Sequence, residues 1–312
     1  MNVGSQQLAV VAVVLITLVS GVADAGVAAS PTERIDRPVV SDPSTTNVTR
    51  TNAIAVGPNA AVGLSLRANE LDDRLATLAH RERLAATTAE NETAVLAVEL
   101  RAIRRATNRL ETRQTEVLEQ HARRNATTRD LVFELAAVDA SARRLESRRD
   151  AAVARLDDLS AAGVDTRALR ADLMALQGPV RARVAAMAVG TVDGTSVGVE
   201  TTRDSVALGV HVDDRTVVER YRADYLDAPT DEPATIEGVS ELVASNYPAE
   251  WENRTGYTIR RIDADLLYVE VEYTDGVVVA YVDRTTGLVF KEFHYGPRSN
   301  ASDPLDRLRL RD

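Results

Sequence analysis

The segment Leu266–Tyr273 carries two carboxylates, Glu270 and Glu272, at alternate positions beside Tyr268. On one face of a strand they could form the acid–base pair of a hydrolase. The same spacing makes a solvent-facing acidic stripe, because Leu267, Val269 and Val271 occupy the opposite face, and that is the stronger reading. The four histidines, His80, His121, His211 and His294, are far apart and form no His-x-His or His-x-x-x-His pair. His211-Val212-Asp213-Asp214 is the one local cluster that could touch a cation, and a solvated strand end accounts for it better. Cysteine is absent, which removes thiolate zinc sites, cysteine redox chemistry, disulfides and a thioether lipid anchor. No Gly-x-Ser-x-Gly elbow, phosphate-cradling loop or dinucleotide fingerprint occurs. Gly190, Gly194 and Gly198 punctuate a strand and do not open a helix. The expectation is a protein without catalytic residues, metal ligands or cofactor.

Binding chemistry is better represented. Eleven of the 12 aromatic residues lie between Tyr221 and Tyr295, and Phe133 is the exception. Tyr268, Tyr273, Tyr281 and Phe290 are candidates for a partner-binding face, together with Trp251. Core packing of a small sheet is the competing account of the same residues. The arginines of 101–124 are interleaved with Glu111, Glu116 and Glu119 behind Glu99, which describes a solvated helical face more than a polyanion site.

These residues sit on three unlike stretches behind an apolar leader. Leu8 to Val22 is hydrophobic and Ala23-Asp24-Ala25 follows as a small-x-small site, the pattern of an export signal over 1–25. Cleavage after Ala29 and an uncleaved anchor are the alternatives, and membrane contact is expected only through an uncleaved leader. Residues 26–64, rich in Pro, Ser, Thr, Asn and Gly, lack a sustained apolar period and predict a flexible tether. An extracellular or cell-surface location follows from the leader. It gives weight to five Asn-x-Ser/Thr triplets, at Asn47, Asn91, Asn125, Asn253 and Asn300, as candidate glycosylation sites.

Residues 65–189 read as helical. Leu71, Leu75 and Leu78 open with 4–3 spacing, and Leu96, Ile103, Leu110 and Val117 recur every seven residues. The register continues through Leu131, Val138, Leu145, Ala152 and Leu159. A 3.5-residue period keeps one narrow face on a partner, as in a coiled coil. His121, Arg124 and Thr128 interrupt the seam, which suits the tip of a hairpin. The spacing predicts helices over 92–122 and 129–161, with Thr127 capping the second. An unbroken rod forming a homodimer through the coiled coil is the rival. Asp165 is placed to cap a short helix from Thr166 to Leu176, and Pro179 opens another to Ala188.

Residues 190–295 predict an α+β domain, followed by a polar tail over 296–312. Strands are expected at Ser196–Glu200, Ser205–Val212, Tyr257–Ile262, Leu266–Tyr273, Val277–Asp283 and Leu288–Tyr295, with an Asp275-Gly276 hairpin turn. Thr216–Leu226 and Ile236–Asn246 are expected as helices. The fold class is thus α+β, a helical hairpin followed by a small antiparallel sheet.

Charge adds a constraint on partners. Asp and Glu number 47 against 37 Lys and Arg, and Lys291 is the single lysine. Residues 66–188 hold 21 basic and 19 acidic side chains, and 189–312 hold 13 and 24. No strongly basic block exists, so nucleic acid is not an expected partner. The acid excess and scarcity of lysine resemble proteins of halophilic archaea.

The stretch 235–295 resembles the PepSY family. The residues that carry the likeness are Val239–Asn246 for a helix, Leu267–Tyr273 for a strand, Asp275-Gly276 for a turn, Val277–Val282, and Asp283-Arg284-Thr285-Thr286-Gly287 before the last strand. The resemblance implies a small sheet with a helix, and a role in peptidase inhibition or extracytoplasmic sensing. The leading expectation is an exported, non-enzymatic interaction protein with a coiled-coil spacer and a protein- or peptide-binding module. A regulator of an exported peptidase comes second and a carboxylate hydrolase third. The whole arrangement looks like exported proteins of halophilic archaea.

Overall fold

The computed structural model describes residues 50–159, 167–225, 235–262 and 266–298. The expected leader, most of the tether, Asp165, Asn47, Asn300 and most of the tail lie outside the described residues. None of the described helices is long and apolar enough to cross a membrane.

The chain is α+β. Strand β1 (Arg50–Val56) precedes five helices: α1 (Ala60–Ala85), α2 (Ala89–Ala122), α3 (Thr128–Asp158), α4 (Arg167–Leu176) and α5 (Pro179–Ala188). Strands β2 (Thr195–Thr201), β3 (Ser205–Val212) and β4 (Arg215–Arg222) follow, then α6 (Ile236–Asn246) and α7 (Pro248–Glu252). Strands β5 (Arg254–Arg261), β6 (Leu266–Tyr273), β7 (Gly276–Asp283) and β8 (Leu288–Pro297) complete the order.

All eight strands join one antiparallel sheet in the order β1-β2-β3-β4-β8-β7-β6-β5. Two meanders meet where β4 pairs with β8, and β1 adds to β2 across a long stretch of sequence. Six of these strands are the ones expected, and β1 and β4 extend the sheet to eight among the described residues. Two local expectations are corrected. Residues 50–64, placed in a tether, form β1 and the start of α1, and Asn59 caps that helix by accepting from the Val62 amide at 3.1 Å. Thr216–Leu226, expected as a helix, is largely β4, which is central in the sheet and buries residues on both faces, among them Val218 and Glu219.

The heptad column closes within one chain. Leu96, Leu100 and Ile103 of α2 pack with Val138, Ala142, Leu145, Ala152 and Leu156 of α3, and α4 covers the seam with Leu169, Leu173 and Leu176. Glu99–Arg148 at 2.6 Å and Glu92–Arg155 at 2.5 Å flank it. Arg123 ends α2 and Arg124 turns the chain at φ +64°. The Thr127 hydroxyl accepts from the Asp130 amide while the Asp130 carboxylate accepts from the Thr127 amide, each at 3.1 Å, a reciprocal capping box.

A second core joins helices to sheet: Val132 and Phe133 of α3, Val180, Val184 and Met187 of α5, and Val197, Val206, Leu208 and Val210 of the strands. On the other face, Val239 and Val243 of α6 and Tyr247 pack on Leu267, Val269, Val271, Val278, Ala280 and Val282. The β6–β7 turn falls on Thr274-Asp275, one residue earlier than expected, since Tyr273 pairs with Gly276. Gly276 is needed for a close approach: a Cβ there would run into the Tyr295 carbonyl and the Tyr273 ring. Asp283 Oδ1 accepts from the amides of Thr285 (2.7 Å) and Thr286 (3.1 Å), and Gly287 takes φ +67°.

Candidate functional site

The chain's single lysine lies at the junction of helices and sheet. Gln177-Gly178 separates α4 from α5, so the last carbonyls of one helix and the first amides of the next lie side by side. Lys291 of β8 donates to the carbonyls of Met174 (3.1 Å), Ala175 (2.5 Å) and Gln177. Glu219 of β4 accepts through Oε2 from the amides of Val180 (3.0 Å) and Arg181 (3.4 Å), and through Oε1 from Arg181 Nε (2.7 Å). Asp139 of α3 accepts from the Gly178 amide at 2.7 Å and from Arg143 Nε at 2.9 Å. Arg181 also donates to Gln114 and to the Leu176 carbonyl. A cation thus meets a helix C-terminus and carboxylates meet a helix N-terminus, as the backbone dipoles demand.

Burial pulls the Lys291 amine well below its ordinary range, and Arg181 adds to this while Glu219 and Asp139 oppose it. An amine of that kind suits nucleophilic chemistry. Here its nitrogen is surrounded by three backbone carbonyls and its side chain is enclosed, at 1% exposure. The cluster is a strut between layers.

A second cluster lies on the opposite face. Tyr247 donates to Glu292, which is 3.5 Å from His294 and 3.7 Å from Arg220. Burial pushes the Glu292 carboxyl up, but His294, Arg220 and the Tyr247 hydroxyl outweigh it and hold it down at about 2. A carboxylate so acidic is a poor proton acceptor near neutrality. A cavity of about 260 Å³ adjoins it, with Leu242, Asn246 and Tyr225 among its lining residues.

A third feature is a groove of about 770 Å³ on the helical layer, lined by Asp73, His80, Glu99, Arg144 and Arg148 among others. His80 Nδ1 lies 3.5 Å from Glu99, and Arg144 and Arg148 reach Asp73. Burial lowers the His80 pKa against the pull of Glu99, with Arg83 and Arg148 reinforcing the drop. Sequence reasoning missed all three clusters because each joins distant segments, with His80 and Glu99 19 positions apart and Lys291 and Met174 117 apart; only the rarity of lysine marked Lys291 out.

The four aromatic candidates do not make one open face. Tyr281 and Phe290 are buried beneath the helical layer with Phe293, Tyr268 packs edge-on to Tyr281, and half-buried Tyr273 faces the α6 side. Glu270 accepts from the Tyr268 hydroxyl, and Glu272 is exposed beside Gly256. His211 meets Thr216 at 3.0 Å, and Asp213-Asp214 is the tight β3–β4 turn, with Asp213 at φ +53°. Among the described residues no group of three His, Asp or Glu side chains could hold a metal ion. Asn91, Asn125 and Asn253 are exposed.

The sheet edge is the open surface. Among the described residues β5 has no strand on its outer side. Arg254, Thr255, Tyr257, Thr258 and Arg260 along it are exposed. The Trp251 and Tyr257 rings meet at a tilt of 53° with centroids 5.3 Å apart, Arg254 lies 4.4 Å over Trp251, and Arg260 lies 4.8 Å over Tyr268. The opposite edge, β1, is approached by α3, where Asn52 donates to Thr128 at 3.2 Å.

Residues 8–193 match the model of a family described as a domain of unknown function (DUF7096). Residues 197–301 match one described as a family of unknown function (DUF7094). The boundary between them cuts a continuous sheet, since β1 lies in the first match and its partner β2 in the second. No curated protein and no solved structure gives a significant match.

Proposed function

We propose that this chain, which belongs to the DUF7096 family, is an exported or cell-surface interaction protein without catalytic chemistry. It takes an extended segment of a protein or peptide partner along the outer edge of β5. The open β5 edge carries this reading. An edge strand presents a row of backbone donors and acceptors, and an incoming strand pairs with them while flanking side chains select its sequence. Tyr257 on Trp251 offers apolar contact, and Arg254 and Arg260 favour an acidic segment.

The internal ionisable groups support the non-catalytic half. Lys291, Glu219 and Asp139 bond to backbone groups or to buried partners. The PepSY-like stretch 235–295 contains the edge, so a regulatory role toward an exported peptidase would use the same surface. The helical layer then serves as a rigid back to the sheet.

The test compares the full-length protein with Tyr257→Asp and Arg260→Glu as baits in native high-salt extract. A partner retained by the parent and lost from both variants, with melting unchanged, supports the proposal. Absence of any reproducible partner, or equal retention by the variants, sinks it.

A further inference from the structure

We infer that α1 is a dimerisation helix and that its occupant is α1 of a second copy of this chain, running parallel to it. Leu64, Leu71, Leu75 and Leu78 are 68%, 57%, 55% and 54% exposed, the most exposed large apolar side chains of the helical layer. They fall on one seam. Ala61, Ala68 and Leu75 take one core column of a heptad, and Leu64, Leu71 and Leu78 take the other. The contacts that tie α1 to its own chain lie on the far side, where Gly63 and Leu66 are buried, Asp73 pairs with Arg144, and His80 and Leu84 are half-buried, while Arg74, Leu78 and Arg81 stand at the rim of the groove between the two faces. The inner face is therefore already used, and the outer face repeats the heptad a second time and is exposed among the described residues.

The charges beside the seam choose the partner and its direction. Arg67, Arg74 and Arg81 recur every seven residues on one flank, and Ser65, Asp72 and Ala79 on the other, all exposed. In a parallel pair each flank meets the opposite flank of the second copy, five residues on, so Arg67 meets Asp72 of the other copy, twice by symmetry. In an antiparallel pair like flanks meet, and the three arginines would face three arginines. The Arg67–Asp72 contact and the avoided clash of arginines thus favour a second copy in parallel, with Arg74 paired to Glu70 of its own helix at 2.5 Å. The α1 helix is held by its own chain before pairing, so association does not carry the cost of nucleating a short helix.

The experiment is light scattering and sedimentation on the full chain across the micromolar range. The parent should run at twice the chain mass, and Leu71→Glu with Leu78→Glu at the chain mass, with an unchanged helical signal. Arg67→Glu should weaken the dimer at least tenfold, and adding Asp72→Arg should restore it. This swap keeps the test open if the double glutamate variant unfolds. Because the chain has no cysteine, Leu71→Cys should cross-link in oxidant to a single dimeric species, as in-register parallel helices require. A monomeric parent, a dimer that survives the glutamates, or an Arg67→Glu variant that dimerises more tightly overturns the inference.

Discussion

Arg181 Nε donates to Glu219 Oε1 at 2.7 Å, and neither side chain is more than 3% exposed. That bond ties the first turn of α5 to the middle of β4, so the helical layer is locked to the sheet by a desolvated ion pair as well as by apolar contact. Removing one partner of such a pair leaves a buried charge without its counterion, at about 3–5 kcal/mol. Glu219→Ala should cost that much in denaturant unfolding. Arg181→Met with Glu219→Leu should recover most of it, because two apolar side chains need no solvation. A double variant as unstable as the single would show that the α5 amides, and not the guanidinium, are what Glu219 serves.

Gly178 probes the same junction sterically. Its φ of −162° is ordinary extended backbone, so alanine is not strained there. An added methyl would instead collide with the Glu219 carboxylate. Gly178→Ala should destabilise by about 1–3 kcal/mol. The cost should largely vanish in a Glu219→Ala background, a coupling that a double-mutant cycle on melting curves would read.

Glu292 sets an acid limit. Its folded-state pKa of about 2 lies below its ordinary 4.5, so between those values the unfolded chain binds more protons than the folded one. The contribution is complete above about pH 4.5 and is lost as pH falls towards 2. Unfolding at a series of pH values should show a steeper loss for the parent than for Glu292→Gln in that window. Parallel slopes would remove the assignment.

The helical half was legible in sequence because its information is local. The seven-residue spacing of Leu96, Ile103 and Leu110 survives in the α2–α3 seam, Val117 joins the core that meets the sheet, and the polar break at 121–128 is the hairpin tip. β4 was not legible, because Val217, Tyr221 and the charges between them fit a helical period as well as a strand. What makes Glu219 a strand residue is its pairing with Leu208 of β3 and Phe293 of β8, the latter far along the chain. β1 was hidden for a similar reason: its ladder partner, β2, begins beyond five helices. The aromatic cluster was visible, but not the layer that covers it, which comes from α3 and α5.

At the hairpin tip, Arg124 occupies the left-handed region that closes α2, where a Cβ is disfavoured. Arg124→Gly should relieve about 1 kcal/mol there and raise the melting temperature, offset in part by the greater freedom of glycine in the unfolded chain. A lower melting temperature would mean that the arginine makes a contact worth more than the strain.

Thr127 holds two roles that substitution can separate. Its hydroxyl caps α3, and it completes the Asn125-Ala126-Thr127 triplet on an exposed turn. Thr127→Ala should lose about 1 kcal/mol of stability from the cap, and any glycan on Asn125 with it. Asn125→Gln should remove the glycan alone, and Thr127→Ser should preserve both. Mass spectrometry of protein from its native host, set beside melting curves of the three variants made without glycosylation, resolves the two. If Asn125→Gln in the unglycosylated protein melts as low as Thr127→Ala, the asparagine is part of the turn's structure. If native protein carries no mass on Asn125, an exposed triplet at the tip is simply the sequence that a capped hairpin happens to need.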